Sequence, residues 1–167
     1  MEDNCRWLPD LIIYPDWNKY KEYEDMLYII FKDTYLNARL SYKNKIIKYR
    51  YNPRINDKEE SFYHCTCKNY VKIEDREPDP NRMIRIKWIK AFIENYNCKF
   101  DCCENKPLNW IELYKNRNYR HYIYFERYLV ILEERENYYL LISGFYVDKE
   151  YYHCGLIKRY KKAENAI

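Results

Sequence analysis

Apolar positions along this chain follow two rhythms, one near 3.6 residues and one near two, with polar stretches between them. In "YPDWNKYKEYEDMLYIIFKDTYL", Tyr20, Tyr23, Leu27, Ile30, Phe31 and Thr34 recur at spacings of three and four behind a cap at Asp16. That pattern predicts a helix over about 17–36. "ARLSY" and "KIIKYRY" read as a hairpin turning at Lys43 and Asn44, and "SFYHCTC", residues 61–67, reads as a third strand after the loop "NPRINDKEE". Asp79 and Pro80 open a second helix through "NRMIRIKWIKAFIEN". The carboxylate caps free amides of the first turn, and proline sits where no amide is needed. On the helical wheel Ile86, Ile89 and Ile93 share one stripe, with Tyr96 at its edge, and Arg82 and Arg85 fall on that same stripe. Two inward arginines either snorkel outward or pair with carboxylates, or else emerge at the rim of the sheet beneath the helix.

The polar, cysteine-rich segment 97–118 reads as loop. "YRHYIYF", "RYLVILEER" and "NYYLLISGFYV" follow as strands of an antiparallel meander, with short connections near Glu126 and at "EREN". Both alternating sets of "YLVIL" are apolar, which suits a central strand covered on both faces. "DKEYYHCGLIKRYKK" predicts a closing helix capped by Asp148, with Tyr152, Leu156 and Tyr160 inward. Lys158, Arg159, Lys161 and Lys162 lie near its end, where cations also suit the helix dipole. The sum is an α+β fold in one domain over 1–167. Helices pack on an antiparallel twisted sheet of about six strands, with residues 1–16 and 163–167 loosely ordered.

Composition refines this picture. Mean hydropathy is −0.84 although 47% of residues are hydrophobic, and the difference lies in 22 tyrosines, which bring apolar area with a polar tip. So many aromatics exclude a disordered chain. A net charge of +4 permits an anionic partner without requiring one. No run of about 18 apolar residues is present, so no membrane-spanning helix is expected. The start "MEDNCRWLPD" lacks the basic-then-apolar pattern of a signal peptide. A cytoplasmic protein with reduced thiols is therefore expected, and seven cysteines, an odd number, fit poorly with a closed disulfide framework.

Three segments carry a resemblance: "SFYHCTC", "DPNRMIRIKWIKAFIEN" and "RYLVILEERENYYLLISGFYV", completed by the basic C-terminal helix. Together they resemble a family of small proteins on phages and other mobile elements, grouped with the barnase–EndoU–colicin–RelE-like (BECR) ribonucleases. The resemblance spans roughly 17–162. It implies a BECR/RelE-like fold and a metal-independent endoribonuclease, acting as a toxin or in phage–host conflict on tRNA or mRNA. It also implies a neutralising antitoxin or host protein as a further partner, and no cofactor. Matched residue by residue, the family's histidine is His64, and its helical arginine and tryptophan are Arg85 and Trp88, with Lys90 one turn further. Lys87 stands where proline is usual, Ser143 where threonine is usual, and Gly144 where alanine is usual. Phe145 stands at the usual tyrosine with Tyr146 beside it, on the opposite side of the strand.

Metal-free RNA cleavage needs a base for the ribose 2′-OH, cations around the phosphorane-like transition state and an acid for the leaving 5′-oxygen, and it leaves a 2′,3′-cyclic phosphate. Histidine suits the proton steps because its ordinary pKa of about 6.5 lies near neutrality. Arginine forks match phosphate oxygens and stay charged. The candidate catalytic set is His64, Arg82, Arg85 and Ser143, with Trp88, Lys90, Arg127, Tyr146, Lys158 and Arg159 engaging RNA. His121 and His153 are secondary candidates. Each has a plainer alternative: a packed histidine, a paired arginine, a small strand residue. Two other classes stay open. One is a non-catalytic RNA- or protein-binding module on the same fold. The other is a zinc-stabilised domain using His64, Cys65, Cys67, Cys98, Cys102 and Cys103, whose spacing lacks the C-x₂-C pair of standard sites.

Overall fold

The computed structural model describes residues 7–13, 16–68, 75–98 and 106–166. Helix α1 (Tyr20–Phe31) follows a short turn capped by the Asp16 carboxylate, which accepts from the Asn18 amide at 2.9 Å. It buries Tyr23, Leu27 and Phe31, every fourth residue, as the periodicity requires. Strands β1 (Ser41–Tyr42) and β2 (Lys45–Lys48) form the expected hairpin. Lys43 and Asn44 both take positive φ, the geometry that matches the twist of a two-residue hairpin.

Residues 61–67 are not a strand. Helix α2 (Glu60–Thr66) occupies all but the last of them, and Cys67 begins a two-residue strand β3 (Cys67–Lys68) that pairs with β4 (Glu77–Pro78) outside the main sheet. Ser61, Phe62, Tyr63, Cys65 and Thr66 are buried around the helix, so its apolar residues imitate a strand pattern. Asp79 caps the next helix as expected, accepting from the Asn81 amide at 3.0 Å. That helix is interrupted: α3 (Pro80–Met83) and α4 (Trp88–Asn95) are joined by turns through residues 84–87.

The segment 97–118 contains a strand the loop assignment missed, β5 (Leu108–Tyr114), which pairs with β6 (Asn118–Phe125). Strands β7 (Tyr128–Glu134) and β8 (Tyr138–Tyr146) complete the expected meander. The six-stranded sheet runs β1-β2-β8-β7-β6-β5. It is mixed, not antiparallel throughout, because β2 lies parallel to β8. The chain from β2 reaches β8 only after crossing the helices, so the hairpin enters beside β8 in the same direction. Helix α5 (Glu150–Glu164) closes the fold. Its N-cap residue is Lys149 with no side-chain cap bond, so Asp148 does not take the expected role.

The sheet carries a core on each face. Tyr128, Val130 and Leu132 of β7 face the larger core under α1, α2 and α4, while Leu129 and Ile131 face α5 through Trp110, Tyr122, Tyr124 and Leu156. Of the inward set expected on α5, Leu156 is fully buried and Tyr160 partly so, but Tyr152 is 36% exposed. Near the N-terminus, Trp7 packs edge-on to Phe92, and the Ile12 amide donates to the Ile84 carbonyl at 2.9 Å. Among the described residues no helix is long and apolar enough to cross a membrane.

Candidate functional site

Strand β2 stops short of its neighbour. Its last partner pair with β8 is Lys48 with Leu140, so among the described residues that edge of β8 has no strand beside it from Leu141 onward. Helices α2 and α3 pack there instead. β8 also carries an extra residue at Ile142: Leu141 pairs with Leu132, but Ser143 pairs with Ile131. A bulge of this kind switches which face each later side chain takes. Ser143 and Phe145 consequently register with Ile131 and Leu129 on the α5 face, while Gly144 and Tyr146 return to the face under α4. Gly144 is required there: a Cβ at this position would lie 2.5 Å from Ile89 Cγ1 and 2.9 Å from the Tyr128 hydroxyl.

Arg82 reaches over this open edge from α3. Its Nη1 donates to the His64 carbonyl at 2.8 Å and to the Ser143 hydroxyl at 3.2 Å. Its Nε lies 3.4 Å from the Asp79 carboxylate, and its guanidinium carbon sits 5.1 Å from the Phe145 ring centre. Arg82 therefore links Ser143 to the main-chain carbonyl of His64, and its charge is near enough to the imidazole to act on its pKa. The His64 imidazole Nε2 lies 3.4 Å from Glu60 Oε1, one helical turn away on α2. Burial pushes the His64 pKa below its ordinary value, with Arg50 and Arg82 acting in the same direction and the Glu60 carboxylate opposing them. The imidazole is thus held neutral near pH 7, in the form that accepts a proton.

Arg85 sits on the next turn of chain. Its Nη1 donates to both the carbonyl and side-chain oxygens of Asn81 at 3.1 Å, and its guanidinium lies between Trp88, at 5.2 Å, and Tyr146, at 4.3 Å. Burial lowers its pKa, and Tyr146, Tyr128 and Asp79 counteract this. Asp79 influences Arg85 and also pairs with Arg82, so the two guanidiniums share one acidic neighbour. Trp88 is buried and donates its indole N–H to the Pro9 carbonyl, leaving it a wall for Arg85. Arg127 pairs with Glu150 and lies near enough to Tyr146 to feel its phenol.

The other expected residues lie apart. Lys90 pairs with Glu94 at 3.7 Å and lines a shallow depression with Trp7, Pro9 and Lys87. Arg159 grips the Glu112 carboxylate with two bonds, 2.8 and 2.5 Å, over the Tyr122 ring. Lys158 is exposed on α5. His121 is buried against Tyr42, Tyr139 and Glu134, and His153 meets the Tyr124 hydroxyl at 2.6 Å. Cys102 and Cys103 lie outside the described residues. Among those described, no group of three or more His, Cys, Asp or Glu side chains is gathered to hold a metal ion. Burial pushes the Cys65 thiol up to about 12, an inert setting for sulfur.

Sequence reasoning missed Glu60 and the pairing of Asp79 with Arg82. The signal for Glu60 was its spacing, four residues ahead of His64, which juxtaposes the two only on a helix. Comparison with protein families, with curated proteins and with solved structures gives no match.

Proposed function

We propose that the protein is a metal-independent endoribonuclease whose active site is the open edge of β8. The observation that carries this reading is the Arg82 guanidinium joining the main-chain carbonyl of His64 to the Ser143 hydroxyl, with the Glu60 carboxylate on the imidazole and Arg85 one turn away. In this mechanism neutral His64 takes the proton of a ribose 2′-OH, and Glu60 stabilises the imidazolium that forms. Arg82 and Arg85 face the phosphate and offset the charge that accumulates on its oxygens, the term that usually dominates such reactions. Ser143 donates to a phosphate oxygen, and the protonated imidazole returns its proton to the leaving 5′-oxygen. The product is a 2′,3′-cyclic phosphate. We propose that it acts in the cytoplasm as a toxin or in phage–host conflict, and a toxin would imply a neutralising partner.

The test is incubation of purified protein with total tRNA and mRNA in EDTA. Cleavage is expected, with cyclic phosphate termini. His64→Ala and Arg85→Ala, each folded by circular dichroism, lose on the order of 10²–10⁴-fold in rate. Intact RNA under every condition would overturn the reading. A second reading has its own observation: Arg82 Nη1 is already engaged by the His64 carbonyl and Ser143, and its Nε is ion-paired with Asp79. A guanidinium so engaged also suits a rigid, non-catalytic RNA-binding surface, which predicts salt-sensitive binding without turnover.

A further inference from the structure

Tyr152, from the first turn of α5, lies over Phe145 with ring centres 6.2 Å apart and planes only 5° from parallel. Phe145 is turned to this face by the bulge and has the Arg82 guanidinium beside it. Three flat groups are thereby layered from the reactive edge outward. The outermost ring is partly open to solvent: Tyr152 is 36% exposed, whereas Leu156 on the same helix is fully buried.

We propose that Phe145 and Tyr152 form a stacking platform for one unpaired nucleobase of RNA, so that the site takes single-stranded rather than duplex substrate. The proposal rests on the ribonuclease reading for the identity of the ligand. Its physical basis is that every base has a π-face able to stack on an aromatic ring, but a base within a duplex has both faces covered by its neighbours.

The experiment measures binding of a fluorescently labelled single-stranded RNA, and of the same strand annealed to its complement, to the His64→Ala protein by anisotropy. Cleavage of both substrates by the otherwise wild-type protein is followed in parallel. Tyr152→Ala and Tyr152→Leu, the latter keeping an apolar contact on Phe145, are each expected to weaken single-strand binding roughly ten-fold, with Tyr152→Trp restoring it. Binding unchanged by both substitutions, or equal affinity for the duplex, overturns the platform, and cleavage by the wild type then leaves the ribonuclease reading standing. Tyr152-dependent binding without cleavage sustains the platform and overturns the ribonuclease reading. Neither binding nor cleavage overturns both.

Discussion

His64 stands between opposing influences, and their signs give a test at the scale of one residue. Burial, Arg50 and Arg82 favour the neutral imidazole, while Glu60 favours the charged one. If neutral His64 is the base, activity is present above its pKa and is lost as pH falls through it. The acid limb of the rate profile then lies below about 6.5. Glu60→Gln removes a charge that raises the pKa, so the limb moves to lower pH. A pH–rate series on both proteins checks the direction, and an upward shift would contradict the pairing. Gly144 gives a second test. A methyl there meets Ile89 and the Tyr128 hydroxyl at less than van der Waals separation. Gly144→Ala is expected to cost about 1–3 kcal/mol in urea unfolding. In the double variant with Ile89→Ala, which removes both clashing carbons of Ile89, the cost should fall short of the sum, because the two sites share one contact.

At the level of elements, turn chemistry decided how the sheet forms in a chain with only two glycines. Lys43–Asn44, Lys115–Asn116 and Glu126–Arg127 each place two consecutive residues at positive φ and each join neighbouring strands. Left-handed φ is unfavourable for residues with a Cβ. Asn116→Gly is accordingly expected to raise stability by about 0.5 kcal/mol, read as a shift in the urea midpoint at unchanged slope. The same dipeptide, Lys-Asn, marks two of these turns, and one was legible and the other was not. Around Lys43 both flanks alternate clearly. Before Lys115, "LNWIELY" alternates as well, but it follows a polar, cysteine-rich stretch that reads as loop. The misread of α2 has a different cause. Phe62, Tyr63, Cys65 and Thr66 all favour strands, and a seven-residue helix buried on nearly all sides shows no apolar stripe. The legible trace was its polar pair: Glu60 and His64 are the partly exposed residues of this helix, four apart. Arg82 on the inward stripe of its helix was legible from the wheel. Its meeting with Ser143 was not, since that depends on a bulge and on where β2 ends.

At the scale of the whole molecule, the β1–β2 hairpin is held to the main sheet by a short parallel pairing and by one buried cluster. His121 from β6 lies 3.1 Å from Glu134 of β7 and 3.4 Å from the Tyr42 hydroxyl of β1, with Tyr139 of β8 against its ring. Lys45 of β2 bonds the same Glu134 at 3.0 Å, and Lys43 lies in the adjoining turn. Tyr96, just past α4, closes the cluster on Tyr42. Burial lowers the His121 pKa, Lys43 and Lys45 add to this, and the hydrogen bond to Glu134 works against it. The unfolded chain takes up this proton at about 6.5, whereas the folded chain does so only at lower pH. Stability from this group is therefore complete above 6.5 and declines as pH falls from 6.5 through the folded value, with His64 contributing in the same direction. Glu134, held low chiefly by its bond to Lys45, adds a second loss below the ordinary carboxylate range. Urea midpoints taken between pH 7.5 and 5.5 should fall for the native sequence. The slope should be shallower in His121→Gln, whatever that substitution costs at pH 7.5. An unchanged slope would mean that the hairpin is held by the three β2–β8 pairs and not by this cluster.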